Sequence, residues 1–239
     1  MCYSSETSLS FGIIGLCGYL YIELYELKLS KTGIQYLLLF YSFMEFLQSF
    51  QYYYVNQCSN ILNQISTEIA YILVIVQPFI WNIYFYFNST SCEKLIFKTA
   101  IILCLVSMFM NVLSRVLYKK WGEPNIPENS IFASDSVCTK TRKSHLYWVW
   151  TSTNLQEFNA NFLTYLMLWF IPGLVSTTHF YKSLLVMLGG LTGAIIQLIY
   201  IPDLMELKHV ITAIWCYISV PIVMVVILQS SLKRNLFIF

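Results

Sequence analysis

Seven stretches of about twenty mostly apolar residues, separated by short polar breakers, constrain this chain more than any other feature. They cover residues 8–27, 33–55, 64–87, 95–118, 158–176, 181–201 and 209–230. A helix rises about 1.5 Å per residue, so about 20 apolar residues cross the roughly 30 Å hydrocarbon layer of a bilayer. The breakers are Ser30-Lys31-Thr32-Gly33, the polar run at 56–60, Asn88-Ser89-Thr90-Ser91 and Pro202-Asp203. The pattern predicts one all-α integral membrane domain over 1–239 with seven transmembrane helices. Glu23 and Glu26 shorten the first of them.

Charge supports this class. Soluble domains carry about 25% charged residues, whereas this chain is 11% charged and 57% hydrophobic. Its 14 Lys and Arg and 12 Asp and Glu suffice for the loops of a bundle whose outside faces lipid. A net charge of +2, with both signs mixed in the longest loop, excludes a nucleic-acid partner. The 18 Tyr and 6 Trp are expected at the membrane interfaces. Residues 1–10 hold Glu6 and no Lys or Arg, unlike the basic start of a secretory signal, so the first segment is expected to stay as an anchor.

One segment breaks the rhythm. Residues 119–157 are polar and contain Pro124 and Pro127. They form an ordered loop between the fourth and fifth helices. The alternation at 144–150 suggests a small hairpin or an interfacial cap. Lys28, Lys31, Lys94, Lys98, Lys182, Lys233 and Arg234 fall in short segments on one side of a seven-span arrangement. The positive-inside rule then places the N-terminus and the long loop outside or in a lumen, and the C-terminus in the cytosol. Cys58 and Cys138 share the outer side, where a disulfide between them competes with two free thiols. The Asn88-Ser89-Thr90 sequon falls on the cytosolic side, where it goes unused.

Polar residues within the spans mark the candidate site, because a charge in lipid costs several kcal/mol. Glu45 sits near the middle of the second span, with Gln48 on the same face. Glu68 and Gln77, the latter beside Pro78, lie in the third, and Asn111 and Arg115 share a face of the fourth. Asn159, Asn161, Gln197, Glu206 and His209 open or close the later ones. Most of these fall in the outer half, which suggests a polar cavity beneath the long loop, lined by Glu45, Gln48, Glu68, Gln77, Asn111, Arg115 and Glu206. The competing reading is interhelical glue, at about 0.6 kcal/mol per hydrogen bond. Gln77 is placed to recapture a carbonyl freed by Pro78. His145, His179 and His209 are scattered and read as interfacial or solvated, so neither a metal site nor a cofactor is expected. Lys208 lies at a membrane edge, which argues against a retinal Schiff base.

Specific strings carry a resemblance. Met44-Glu45-Phe46-Leu47-Gln48 is followed by Gln57-Cys58, Gln77-Pro78-Phe79, Ser144-His145-Leu146-Tyr147-Trp148 and Ala213-Ile214-Trp215-Cys216. Over about residues 10–230 this series resembles a family of uncharacterised multi-pass membrane proteins, a domain of unknown function seen in bacteria, fungi, algae and large DNA viruses. The resemblance implies a seven-helix bundle with Glu45, Gln48, Gln77, His145 and Glu206 in a shared framework, and it implies no reaction. Expected partners are the lipid bilayer and a small molecule or ion. The functional classes are a receptor-like or ligand-binding protein, a small transporter or proton-coupled carrier using Glu45 and Glu68, and a membrane enzyme, for which no constellation speaks.

Overall fold

The structure, a computed structural model, describes residues 4–26, 30–121, 137–142, 145–149 and 162–200, with side chains at 4–26, 30–113, 137–141, 146–148 and 164–192. It is mostly helical. The elements in chain order are α1 (Ser5–Tyr25), α2 (Ile34–Gln51), α3 (Ile61–Phe87), α4 (Lys94–Trp121), β1 (Cys138–Arg142), β2 (His145–Val149), α5 (Phe162–Val175) and α6 (Phe180–Tyr200). The six helices coincide within a few residues with the first six apolar stretches. The seventh, 209–230, lies outside the described residues, as do Glu206, His209 and the side chain of Arg115.

Local chemistry sets the helix ends. Ser4 caps α1 by accepting from the Thr7 N–H, and Asn60 caps α3 by accepting from the Leu62 N–H at 2.9 Å. Gly33 precedes α2 with φ +76°, a left-handed conformation that glycine adopts without a Cβ penalty. Residues 143–144 separate two antiparallel strands in which Thr139 pairs with Trp148 and Arg142 with His145. The alternation at 144–150 is thus one arm of a hairpin.

α1 lies against α2 along most of its length. Gly15 makes this possible, since a Cβ there would sit 2.2 Å from Ser42 Oγ. α3 is central and meets α2, α4, α5 and the hairpin. Around it Tyr41, Trp81, Phe85, Phe97 and Trp169 form a buried aromatic core, with the Trp81 indole N–H donating to the Tyr41 hydroxyl at 2.7 Å. The tryptophans Trp81, Trp148 and Trp169 are therefore core residues, not members of an interfacial belt. The exposed aromatic positions among the described residues include Tyr25, Tyr36, Tyr53 and Tyr181 near helix ends, together with Phe43, Phe87 and Phe109.

Among the described residues, polar side chains are buried beside the aromatic core while many apolar ones face outward. Gln35, Glu45, Gln48, Asn63, Gln77, Asn82 and Asn111 are buried, whereas Ile13, Ile72, Ile102, Val106 and Phe109 are exposed. α1, α3 and the 94–113 part of α4 are long and apolar enough to cross a membrane, and two shorter apolar helical stretches follow at Thr164–Val175 and Phe180–Thr192.

Candidate functional site

Polar side chains gather in three layers: beneath the hairpin, across the middle, and at the turns opposite the hairpin. In the first layer, Asn63 of α3 is the pivot. Its amide nitrogen donates to the carbonyls of Tyr54 (2.7 Å) and Thr139 (2.9 Å), and its oxygen accepts from the Thr139 N–H at 2.8 Å. The Thr67 and Thr139 hydroxyls meet at 2.6 Å. Trp148, fully buried, donates from its indole to Gln51, whose amide donates to the Ser66 carbonyl. Asn56 brackets Thr141 with two hydrogen bonds of 3.0 Å, and a disulfide joins Cys58 to Cys138. An extended hairpin exposes unpaired backbone groups, and these contacts satisfy them. The hairpin is thus locked to the turn between α2 and α3.

The middle layer contains most of the residues singled out from the sequence. Gln77 donates to Met44 Sδ at 3.2 Å and accepts from the Tyr165 hydroxyl, so it links α2, α3 and α5. Asn82 donates to the carbonyls of Pro78 and Leu168. Asn111 accepts from Tyr71 at 2.9 Å and donates to the Ser107 carbonyl. Gln48 is fully buried, and Glu68 is half-buried. Glu45 is 0% exposed in the seam between α1 and α2, with Ser8 facing it. Neither of its carboxyl oxygens forms a hydrogen bond among the described residues.

The third layer was not anticipated. Glu93, in the turn before α4, is 9% exposed. Its carboxylate accepts from the hydroxyls of Ser176 (3.0 Å), Thr177 (2.9 Å) and Thr178, from the Thr178 N–H (3.2 Å), and from Thr90. The Thr178 hydroxyl, helped by the other donors and opposed by burial, holds this carboxyl down at about 2. Asn88 reaches the third turn of this end, donating to the carbonyls of Thr32 and Tyr84 at 2.7 Å each. The nitrogen that would carry a glycan is therefore engaged in the turn knot.

His179 is part of this layer and corrects the reading of the histidines as solvated or interfacial. It is 1% exposed and lies between the Phe85 and Phe97 rings. Burial, with Lys182 nearby, pushes its imidazole down to about 4. Nε2 lies 3.1 Å from Ser89 Oγ, while the Ser89 hydroxyl donates to the Phe85 carbonyl at 2.6 Å. Ser89 therefore meets the ring as an acceptor, which places the imidazole proton on Nε2. A serine in this arrangement is not activated as a nucleophile, because its proton is committed elsewhere. The pair ties two turns together. The uncharged runs Ser89-Thr90-Ser91 and Ser176-Thr177-Thr178 are the sequence signal for this knot.

Beside the knot, a cleft of roughly 330 Å³ opens between α2 and α3, reaching from Ser30 and Lys31 to Ile80, Ile83, Tyr84 and Phe87.

A family model described as a family of unknown function (DUF5765) matches residues 6–237, nearly the whole chain. The chain belongs to this family. A relative from Acanthamoeba polyphaga mimivirus, the uncharacterized protein R287, is 27% identical over 234 residues, covering 92% of this chain and 91% of the viral protein. No solved structure matches.

Proposed function

We propose that the chain is an integral membrane protein of seven spans that acts by binding a small molecule or ion within its polar interior, in the manner of a receptor. The observation that carries the membrane reading is the inversion of polarity. Glu45, Gln48 and Asn63 are each 0% exposed, while Phe109 is 64% and Val106 53% exposed. In water such a surface drives aggregation; in lipid it is the stable arrangement. Tyrosines flanking the helix ends fit the two interfaces.

Two features support a binding role. Polar residues from α2, α3 and α4, namely Glu45, Gln48, Glu68, Gln77 and Asn111, sit at neighbouring depths below a fastened hairpin, and Arg115 and Glu206 are assigned to the same layer from the sequence. The turn between α2 and α3 holds the hairpin by a disulfide and side-chain hydrogen bonds rather than leaving it loose. The membrane reading is tested by alkaline carbonate extraction. Retention of the full-length chain in the pellet supports it, and release into the supernatant removes it. Ligand binding is read as a rise in melting temperature of the detergent-solubilised protein across a small-molecule panel. A response abolished by Gln77→Ala but retained in Lys140→Ala would assign it to the interior.

A second reading, a proton-coupled carrier, rests on Glu45. A buried carboxyl with no hydrogen bond among the described residues is costly and needs a reason. Proton flux into proteoliposomes that Glu45→Gln abolishes would favour the carrier. Equal flux in the variant would remove Glu45 from any transport step.

A further inference from the structure

We infer that the seam between α1 and α2 is a site for a sodium ion, held between the Glu45 carboxylate and the Ser8 hydroxyl. This deepens the reading of an interior that takes a small molecule or ion, and it rests on that reading. Glu45 and Ser8 are each 0% exposed and face one another across the seam. Among the described residues, neither carboxyl oxygen of Glu45 nor Ser8 Oγ forms a hydrogen bond. Three buried oxygens without partners are costly, and a cation lying between them satisfies all three at once. A proton on Glu45 would engage one carboxyl oxygen and leave the other unsatisfied. The charge of the amino terminus acts on Glu45 but donates no hydrogen bond to it, so it does not satisfy those oxygens either.

Packing and charge limit what the seam accepts. A Cβ on Gly12 would stand 2.7 Å from the Phe46 ring, and one on Gly15 would stand 2.2 Å from Ser42 Oγ. The two helices therefore touch within two turns of Ser8, which suits a single small ion and not an organic ligand. One carboxylate carries one negative charge. A monovalent ion leaves the seam neutral, whereas a divalent ion leaves a net charge buried. The donors are hard oxygens, without the Cys or His that transition metals prefer. The ion has a short way in. Ser8 lies about one turn, ~5 Å, from the start of α1. In the turn outward of it, the Ser5 and Ser49 hydroxyls meet at 2.9 Å. Glu6 is exposed in that same first turn, and its charge attracts cations to this end of the seam.

The test uses the full-length protein purified in detergent, with radioactive sodium chloride as the probe. Sodium binding is expected to saturate and to resist an excess of choline chloride. The melting temperature is expected to rise with sodium chloride and to stay level in choline chloride of equal ionic strength. Glu45→Gln removes the charge and keeps the shape. It is expected to abolish both effects and to melt, in choline chloride, at or above the wild-type temperature. Ser8→Ala is expected to weaken sodium binding roughly tenfold, the loss of one oxygen held to a charge. Lys140→Ala on the hairpin is expected to leave binding unchanged. No saturable binding, or binding equal to wild type in Glu45→Gln or in Ser8→Ala, would overturn the site. So would a melting temperature that answers to pH and not to sodium, which gives Glu45 to a proton. Failure of the interior reading is separable. A small-molecule response that Gln77→Ala abolishes, in a protein that binds no sodium, keeps that reading and removes this site alone.

Discussion

At the scale of residues, Glu93 and His179 show how two Ser/Thr-rich turns, once packed together, become sensitive to acid. Both have pKa values held below the ordinary ones, 4.5 for a glutamate and 6.5 for a histidine. A group whose folded pKa is depressed contributes stability above its unfolded pKa and loses it as pH falls towards the folded one. His179 should therefore lose its contribution as pH falls from 6.5 towards about 4, because the buried ring resists charging. Glu93 should follow from 4.5 towards about 2, as protonation removes the anion that its donors hold. The melting temperature of the detergent-solubilised protein is expected to decline in two stages on acidification. His179→Phe should flatten the upper stage and Glu93→Gln the lower. A single unchanged transition in both variants would show that neither residue controls acid stability. Neither role was legible in the sequence. A lone histidine in a Ser/Thr-rich turn looks solvated until another turn, about 85 residues away, closes over it.

At the scale of elements, the six described helices were legible because each is encoded by its own contiguous apolar run, and the breakers at 30–33, 56–60 and 88–91 fell where the described turns are. The hairpin was legible in half: alternation marked β2, whereas β1, with Thr-Lys-Thr-Arg, has no apolar period and is defined by its partner. Its docking depends on long-range partners that local pattern does not specify. Asn63 and Thr139 are 76 residues apart, and Cys58 and Cys138 are 80 apart. Asn63→Ala would strip the Thr139 N–H of its acceptor in a buried setting, at a cost of about 1–3 kcal/mol. Cys138→Ser would release the cross-link of a long loop, at roughly 2–4 kcal/mol on the chain-entropy view. Both are expected to speed proteolysis within 119–157 while leaving helical circular dichroism largely intact. A global loss of helicity in either variant would mean that the hairpin is required for the bundle to form, rather than fastened to a bundle already made.

At the scale of the whole molecule, the same inversion that hides polar groups also fixes which cysteines a reagent can reach, and this gives a test of orientation. Parity follows from the helix hairpins: the start of α1 meets the end of α2 through Ser5 and Ser49, and the hairpin packs on the α2–α3 turn. The Asn88–Glu93 turn lies at the other end, tied to Thr32 and to Ser176. Cys92 is exposed at that end, Cys17 is exposed in the apolar flank of α1, and Cys104 is buried in α4. If the basic end faces the cytosol, a membrane-impermeant maleimide applied to intact cells should spare Cys92 and modify it only after permeabilisation, with Cys92→Ala identifying its share of the signal. Cys17, which the membrane reading surrounds with lipid, should stay unmodified in both cases and react once detergent is exchanged for denaturant. Asn88 should carry no glycan under the same orientation, consistent with an amide nitrogen engaged by two carbonyls. Labelling of Cys92 from outside would reverse the topology and move the Cys58–Cys138 bond into a reducing compartment. One labelling experiment thus decides the orientation on which the compartment of the disulfide and the use of the sequon both depend.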